Sequence, residues 1–165
     1  MPPDGSCLFH SLCYGLGLSS APSLRKEIAN FIAKNPDLEI AGDPLKDWIA
    51  WDGGGTVSSY TRKMANPHGP WGGGIEMAAC SRCVPMLPGC LPVRRGQVAE
   101  SLLFSHGSSL QLCGRLHRCN VHVYEKQRLR SGFKWISCFD NRGATKTVHV
   151  LYCGGVHYNA LSPAK

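Results

Sequence analysis

The sequence predicts an α+β domain in which helices come first and strands follow, so that helices flank a central sheet. Apolar residues recur at helical spacing in the first half of the chain, and polar and apolar residues alternate after Cys119. The chain has 165 residues, of which 43% are hydrophobic, and this is enough for one domain with a core.

A first helix is expected from Cys7 to about Tyr14. Gly5 lets the backbone turn sharply just before this stretch, whose apolar residues have helical spacing. Gly15 and Gly17 are expected to end the helix.

A second helix is expected from Leu24 to about Lys34. Ser23 is its predicted N-cap, and Asn35 followed by Pro36 stops it. One apolar stripe runs along it, formed by Leu24, Ile28, Phe31 and Ile32.

Two further helices are predicted on either side of a loop rich in proline and glycine. The first covers Val57 to Ala65, with Tyr60 and Met64 on its buried side. The second covers Ile75 to about Arg82 and has Glu76 in its first turn, where acidic charge is favourable.

Strands are predicted in the last third of the chain. They cover Asn120–Tyr124, Lys134–Phe139, Thr147–Tyr152 and an extended stretch from Val156 to Leu161. His122 and His149 fall inside strands, so we interpret both as structural.

The expected position of Cys7 favours reactivity. In the first turn of a helix, unpaired N–H groups and the positive end of the helix dipole favour a thiolate. The same N–H groups can bind an oxyanion. Asp4 precedes this turn, where an N-cap or turn residue is as good an explanation as a direct chemical role.

His157 is expected to open the last strand. Side chains two apart on a strand share a face, so Asn159 lies beside His157 and can hold the imidazole in one tautomer, while Tyr158 points the other way. A histidine at a strand start beside a solvent-facing asparagine is the simpler alternative. A thiol and an oriented imidazole are together the parts of a cysteine hydrolase.

Three blocks in this order resemble the ovarian-tumour (OTU) domain family of cysteine proteases. They are Asp4-Gly5-Ser6-Cys7-Leu8-Phe9, then Trp71-Gly72-Gly73 followed by Ile75-Glu76 and Ala78, then His157-Tyr158-Asn159. The resemblance spans nearly the whole chain. It implies a papain-like fold and cleavage of the isopeptide bond after the C-terminal glycine of ubiquitin or a ubiquitin-like modifier.

The resemblance also implies roles for single residues. Cys7 would be the nucleophile, His157 the general base and then acid, and Asn159 the group that orients His157. Asp4 matches an acidic family position that is treated either as a triad member or as part of the loop forming the oxyanion hole. The residues implied to shape the substrate channel are Trp71, Gly72 and Gly73.

The expected activity is therefore that of a cysteine-type deubiquitinase that needs no cofactor. Its expected partners are ubiquitin, polyubiquitin chains and ubiquitinated proteins, and the chain is expected to be a monomer. A ubiquitin-binding module without full activity is the alternative. A zinc-binding interaction domain is a third hypothesis, because Cys80 and Cys83 have ligand-like spacing, but the later candidates are irregularly spaced. Those later candidates are Cys90, His106, Cys113, His117 and Cys119.

Composition argues against nucleic-acid-binding, membrane-spanning and secreted classes of protein. The formal net charge is +7, but lysine and arginine are spread along the chain without a nucleic-acid motif, so we expect no nucleic-acid partner. No apolar run is long enough for a membrane span, and no secretory signal is visible, so a cytosolic or nuclear location is expected. Nine cysteines in such a chain do not predict a disulfide framework.

Residues 83–115 depart from the family pattern, because a segment containing proline, glycine and cysteine separates the fourth helix from the first strand. We interpret this segment as an insertion within a single domain, or as an unspliced intron in the gene model. An ordinary surface loop with a short helix near Val98 to Phe104 is the alternative.

Overall fold

The computed structural model describes residues 4–53, 55–83, 118–127, 131–142, 144–155 and 157–162. The helices are α1 (Cys7–Leu16), α2 (Ala21–Lys34), α3 (Leu45–Trp51), α4 (Val57–Met64) and α5 (Gly74–Arg82). The strands are β1 (Glu39–Ile40), β2 (Asp43–Pro44), β3 (Cys119–Lys126), β4 (Phe133–Phe139), β5 (Lys146–Cys153) and β6 (His157–Leu161).

The main sheet has the strand order β4-β3-β5-β6. Strands β3 and β5 are parallel, with Val121 opposite Val148, and the other two pairs are antiparallel. A tight turn through Gly154 and Gly155, both with positive φ, joins β5 to β6 and leaves β6 at the edge. Strands β1 and β2 form a separate small hairpin.

The core lies on one face of the main sheet. Valines at alternate positions of β3 and β5 point into it and are fully or almost fully buried: Val121, Val123, Val148 and Val150. Helix α1 packs on β5 and β6, α5 packs on β3 and β4, and α2 packs against α1, α4 and α5. The predicted α+β arrangement, with helices packed on a central sheet, is confirmed.

Helix α1 extends past the predicted end at Tyr14, because Gly15 lies inside it. A Cβ atom on Gly15 would be 2.4 Å from Val148 Cγ1, so this glycine allows the helix to approach β5 closely. Gly17 ends the helix in the left-handed conformation, with φ at 74°. The expectation that Gly15 breaks the helix is therefore wrong, and tertiary packing explains its presence.

Helix α2 begins three residues before the predicted start. Its N-cap is Ser20 rather than Ser23, and the Ser20 hydroxyl accepts a hydrogen bond from the Ser23 amide at 3.3 Å. Pro22 occupies the first turn, where a proline costs no hydrogen bond. The end at Lys34 agrees with the prediction.

The remaining helices are mostly where the sequence places them. Helix α4 buries Tyr60 and Met64 as predicted, and α5 starts one residue earlier than expected. Helix α3 and the β1–β2 hairpin were not predicted, because each is short and only Leu45 and Ile49 of α3 are buried. The proposed short helix near Val98 to Phe104 and nearly all of the proposed insertion lie outside the described residues.

Membrane-spanning helices and clusters of metal ligands are both absent from the described part of the chain. Within those ranges, no helix has the length and apolar character needed to cross a bilayer. The same residues contain no group of three or more histidine, cysteine, aspartate or glutamate side chains placed to hold a metal ion.

Substituting Gly15 with alanine should destabilise the protein, because the new methyl group would collide with Val148 in a packed core. We expect a loss of about 1–3 kcal/mol in the free energy of unfolding, measured by urea denaturation. Gly74→Ala is the matched control in another helix, where the nearest atom to the added Cβ would be Phe139 Cζ at an ordinary 3.8 Å. Equal stabilities for the two variants would contradict this account of α1 packing.

Candidate active site

Helix α1 packs along β6. At its C-terminal end the Tyr14 hydroxyl is 2.9 Å from Ser162 Oγ, just past the end of β6. The first residues of the two elements, Cys7 and His157, therefore lie at the same end of the sheet. Burial is the main cause of the raised pKa of Tyr158, and charge on Tyr152 and Cys7 adds to it, which is consistent with Cys7 lying near the start of β6.

Cys7 is the first residue of α1, and only 6% of its surface is exposed. Ser6 stands at the N-cap position, but its side chain makes no capping hydrogen bond. The Ser6 hydroxyl is instead 3.3 Å from the Pro67 carbonyl oxygen, to which it donates. The first-turn N–H groups of a helix lack intrahelical acceptors, so in this geometry they remain available to an anion beside Cys7.

Asp4 supports the turn that precedes Cys7. Its Oδ1 accepts a hydrogen bond from the Ser6 amide at 2.8 Å, and its Oδ2 is 2.8 Å from His10 Nε2. The hydrogen bond from His10, followed by that from the Ser6 amide, lowers the pKa of Asp4 below its ordinary value. Among the two roles implied for Asp4, this geometry fits the loop role, because the carboxylate is bonded to His10 and Ser6 and not to His157.

His157 and Asn159 share one face of β6, as predicted. His157 Nε2 is 3.2 Å from Asn159 Oδ1, and since an amide oxygen only accepts, this bond places the ring proton on Nε2. Nδ1 is then the nitrogen that can receive a proton. Tyr158 points the other way and packs beside Tyr152 against the core.

The Cys7 sulfur and the His157 ring are not hydrogen-bonded to each other in the described residues; the ring is bonded to Asn159. Such bonds between a nucleophile and its base are often long in the free state of an enzyme and tighten when substrate binds. The arrangement therefore places the two groups at one end of the sheet without joining them.

The block Trp71-Gly72-Gly73 lies beside the turn that precedes Cys7, and each of its three residues makes a different contact. Trp71 is 60% exposed, and a Cβ atom on Gly5 would lie 3.7 Å from its Cδ1. Gly72 packs tightly on α1, since a Cβ there would be 2.8 Å from Leu8 Cδ2. Gly73 precedes α5 and donates its N–H to Glu76 Oε2 at 2.8 Å.

Glu76 anchors this block from inside the core. It is 1% exposed, and the Tyr60 hydroxyl donates to its Oε1 at 2.6 Å. Burial raises the pKa of Glu76, while the hydrogen bonds from Tyr60 and the Gly73 amide oppose that rise. The buried carboxyl therefore ties α4 to the loop that carries Trp71.

A cleft of about 940 Å³ includes Trp71 in its lining, while Cys7 and His157 are not among its lining residues. Aromatic side chains from α3, α4, the Trp71 loop and β4 contribute to its lining: Trp48, Trp51, Tyr60, Trp71 and Phe139. Trp51 and Trp71 are each more than half exposed, so the cleft offers apolar surface to another molecule.

Of the cysteine motif considered for zinc, three members fall in the described residues. Cys80, Cys83 and Cys119 are all buried between α5 and β3, and Cys119 Sγ is 3.9 Å from the Cys80 carbonyl oxygen. The neighbouring Cys119 thiol and burial raise the pKa of Cys80, while the Cys80 thiol lowers the pKa of Cys119. The other candidates lie outside the described residues: Cys90, His106, Cys113 and His117.

No family model matches the chain. A Schizosaccharomyces pombe protein named "Putative ubiquitin thioesterase otu1" is 36% identical over 84 residues, which is 49% of this chain. The aligned segment covers 21% of that protein, so the match spans about a fifth of the relative's length.

Solved structures match over almost the whole chain. An OTU domain in complex with ubiquitin aligns over 97% of this chain and 65% of its own, with a TM-score of 0.57 and 18% identity. The OTU domain of OTUD1 aligns over 97% and 81%, with a TM-score of 0.58 and 17% identity. This chain has the OTU fold. An OTU deubiquitinase from Wolbachia pipientis wMel bound to ubiquitin also aligns, over 98% and 91%, with a TM-score of 0.53 and 16% identity.

Sequence reasoning missed two residues near the turn that precedes Cys7 in this OTU fold. His10 is bonded to Asp4, and Arg25 of α2 is fully buried with its guanidinium against Gly5 and Ser6. The burial of Arg25 had a weak signal, since it lies one turn before the small Ala29 on α2, but the carbonyl groups it reaches come from distant segments. No local pattern pairs His10 with Asp4.

Substituting His10 with alanine should raise the pKa of Asp4 toward its ordinary value, because His10 is the largest cause of its depression. A carboxylate with a lowered pKa contributes stability at pH values above its ordinary pKa, and this contribution is lost as the pH falls through the lowered one. Carbon-detected NMR titration of the Asp4 carboxyl measures the change. His122→Ala, on the distant strand β3, is the control and should leave the Asp4 titration as in wild type; an unmoved Asp4 titration in His10→Ala would refute the assignment.

Proposed function

We propose that this chain is a thiol isopeptidase that cleaves the bond after the C-terminal glycine of ubiquitin or a ubiquitin-like modifier. The observation that carries the proposal is the position of Cys7 at the N-terminus of α1 and of His157 at the start of β6, at one end of the sheet. The names of the similar proteins support it: one is a ubiquitin thioesterase by name, and two are OTU domains in complex with ubiquitin.

In the proposed first step the Cys7 sulfur attacks the carbonyl carbon of the modifier's last glycine. A thiolate is the reactive form, and the proton of the thiol passes to His157. The sulfur–carbon bond forms, the carbon–nitrogen bond breaks, and the lysine amine leaves with a proton from His157. The product of this step is a thioester on Cys7 and a free lysine side chain.

His157 supplies and removes the protons. Its Nε2 hydrogen is held by Asn159, so Nδ1 exchanges protons with the thiol, the leaving amine and the water. In the second step Nδ1 takes a proton from water and the hydroxide attacks the thioester carbon; a carbon–oxygen bond forms, the carbon–sulfur bond breaks, and the Cys7 sulfur separates from the modifier, which leaves with a C-terminal carboxylate. Asn159 keeps the ring in this orientation without adding a charge.

The negative oxygen that forms during both steps needs hydrogen-bond donors. The Ser6 amide is already bonded to Asp4, so the donors are the N–H groups that follow it, beginning with that of Cys7. Because the Ser6 hydroxyl is turned toward Pro67, no side-chain cap competes for them. Asp4 in this scheme holds the loop and takes no proton.

The substrate approaches past Trp71 in this proposal. The exposed indole lies beside Gly5, and the aromatic cleft next to it can bury apolar parts of the modifier or of the conjugated protein. Gly72 and Gly73 act indirectly, through packing on Leu8 and the hydrogen bond to Glu76, by fixing where Trp71 stands.

A ubiquitin probe with a C-terminal electrophile should label the wild-type chain, and Cys7→Ala should abolish the label because the attacking sulfur is gone. His157→Ala should slow hydrolysis of a ubiquitin conjugate by about 10²–10⁴-fold, the usual contribution of a general base. Mass shift of the purified chain and a fluorescent ubiquitin substrate are the respective measurements. Cys138→Ala, which removes an exposed thiol of β4, is the matched control and should be labelled normally.

A folded wild-type chain that is not labelled and cleaves no diubiquitin linkage would contradict the proposal. Ubiquitin binding without cleavage in the same samples would favour the alternative of a ubiquitin-binding module. Labelling that persists in Cys7→Ala would move the nucleophile to another cysteine.

A further inference from the structure

Arg25 of α2 is a fully buried cation. It stands in the second turn of α2, and among the described residues no carboxylate forms an ion pair with it. Burial lowers the pKa of its guanidinium, and the charges of Glu76, Asp4 and Cys7 oppose that effect. A buried charge is costly unless it is well hydrogen-bonded, so the partners of Arg25 indicate what the charge is for.

Those partners belong to the turn that precedes Cys7 and to the segment 64–70. Nη2 donates to the Gly5 carbonyl oxygen at 3.0 Å and lies 3.3 Å from Ser6 Oγ. Nη1 donates to the Pro70 carbonyl oxygen at 2.9 Å and to that of Met64 at 3.2 Å. One guanidinium therefore joins the turn that precedes Cys7 to the loop that leads into Trp71.

The peptide group between Gly5 and Ser6 is held from both sides. Its carbonyl oxygen accepts from Arg25, and its N–H donates to Asp4 at 2.8 Å. Gly5 has φ at 77°, a left-handed conformation that glycine adopts without strain. Because the next peptide group joins Ser6 to Cys7, the orientation of the Gly5–Ser6 group decides where the sulfur and the first-turn N–H groups point.

The guanidinium is also fixed against α1 itself. Its Cζ lies 4.2 Å from the centroid of the Phe9 ring, two residues after Cys7. Space beside Nη1 is also tight, since a Cβ atom on Gly69 would lie 3.1 Å from it. The planar group is thus confined between α1 and the 66–70 loop and leaves the turn little freedom.

We propose that Arg25 is a positioning residue for the hydrolysis: its guanidinium holds the Gly5–Ser6 peptide and the Pro70 carbonyl together, which aims the Cys7 thiol and the oxyanion donors at the same carbonyl group. This inference rests on the proposed isopeptidase function. Arg25 itself touches no reacting atom and acts through the turn.

The first test is Arg25→Lys in the full chain. Lysine keeps the charge but offers one ammonium group in place of the planar fork, so it cannot bond the Gly5 and Pro70 carbonyls in the same way. With ubiquitin that carries a fluorogenic leaving group at its C-terminus as substrate, we expect kcat to fall about 10–100-fold while KM changes little, because a misplaced nucleophile slows reaction without weakening binding. Arg62→Lys on the exposed side of α4 is the matched control and should keep both constants.

A second measurement does not depend on ubiquitin. Iodoacetamide alkylation of each cysteine is followed by peptide mass spectrometry in wild type and Arg25→Lys. We expect Cys7 to react several-fold faster in the variant, because the turn that buries it loosens, while buried Cys13 in the same helix and exposed Cys138 keep their wild-type rates. If wild type fails to cleave ubiquitin, the proposed function fails, but this measurement still tests the hold of Arg25 on the turn.

Unchanged kcat and unchanged Cys7 alkylation in a folded Arg25→Lys variant would overturn the inference. So would a rise in Cys13 alkylation by the same factor as Cys7, since that indicates general loosening of the core. Should Arg25→Lys fail to fold, Ser6→Ala tests the same attachment from the loop side by removing the hydroxyl that meets Arg25 and Pro67. Wild-type Cys7 alkylation in Ser6→Ala would then count against the inference.

Discussion

The packing of α1 on the β5–β6 hairpin determines where the proposed catalytic groups lie. Gly15 lets the helix approach Val148 closely, and Tyr14 contacts Ser162 just past the end of β6. With that end fixed, a helix packed along an edge strand places Cys7 and His157 at one end of the sheet. The relative position of Cys7 and His157, which come from opposite ends of the chain, thus depends on hydrophobic packing at the other end of α1.

Hydrogen bonds from three polar side chains fix the backbone around Cys7 and Trp71 more closely. Asp4 and Arg25 hold opposite sides of the peptide that precedes Cys7, and the buried Glu76 fixes the loop that carries Trp71. A hydrogen bond to a buried charged group contributes about 1.5–3 kcal/mol, and this range applies to fully buried Arg25, whereas solvent weakens the bonds of exposed Asp4. The turn that precedes Cys7 is therefore held mainly by Arg25, with Asp4 on the other side of the peptide.

Much of this fold could be predicted from local pattern. The strands of the main sheet and the longer helices have clear periodicity, and the spacing of His157 and Asn159 correctly predicted that they share a face and a hydrogen bond. One error had a tertiary cause, because Gly15 is inside a helix owing to the closeness of β5. The other was local, because Ser20 and Ser23 are both good capping residues and Ser20 is the one that caps α2. The contacts of Arg25 could not be predicted, since four separate carbonyl and hydroxyl groups converge on it only in the folded chain.

A crystal structure of the full chain joined to ubiquitin through a C-terminal electrophile tests the central claim most directly, by the distance from the sulfur of residue 7 to the imidazole of residue 157. The account predicts that the electrophile is attached to Cys7, with Nδ1 of His157 within hydrogen-bonding distance of the sulfur and Nε2 still bonded to Asn159. A ring that stays apart from the sulfur in that complex, or an adduct on another cysteine, would contradict it.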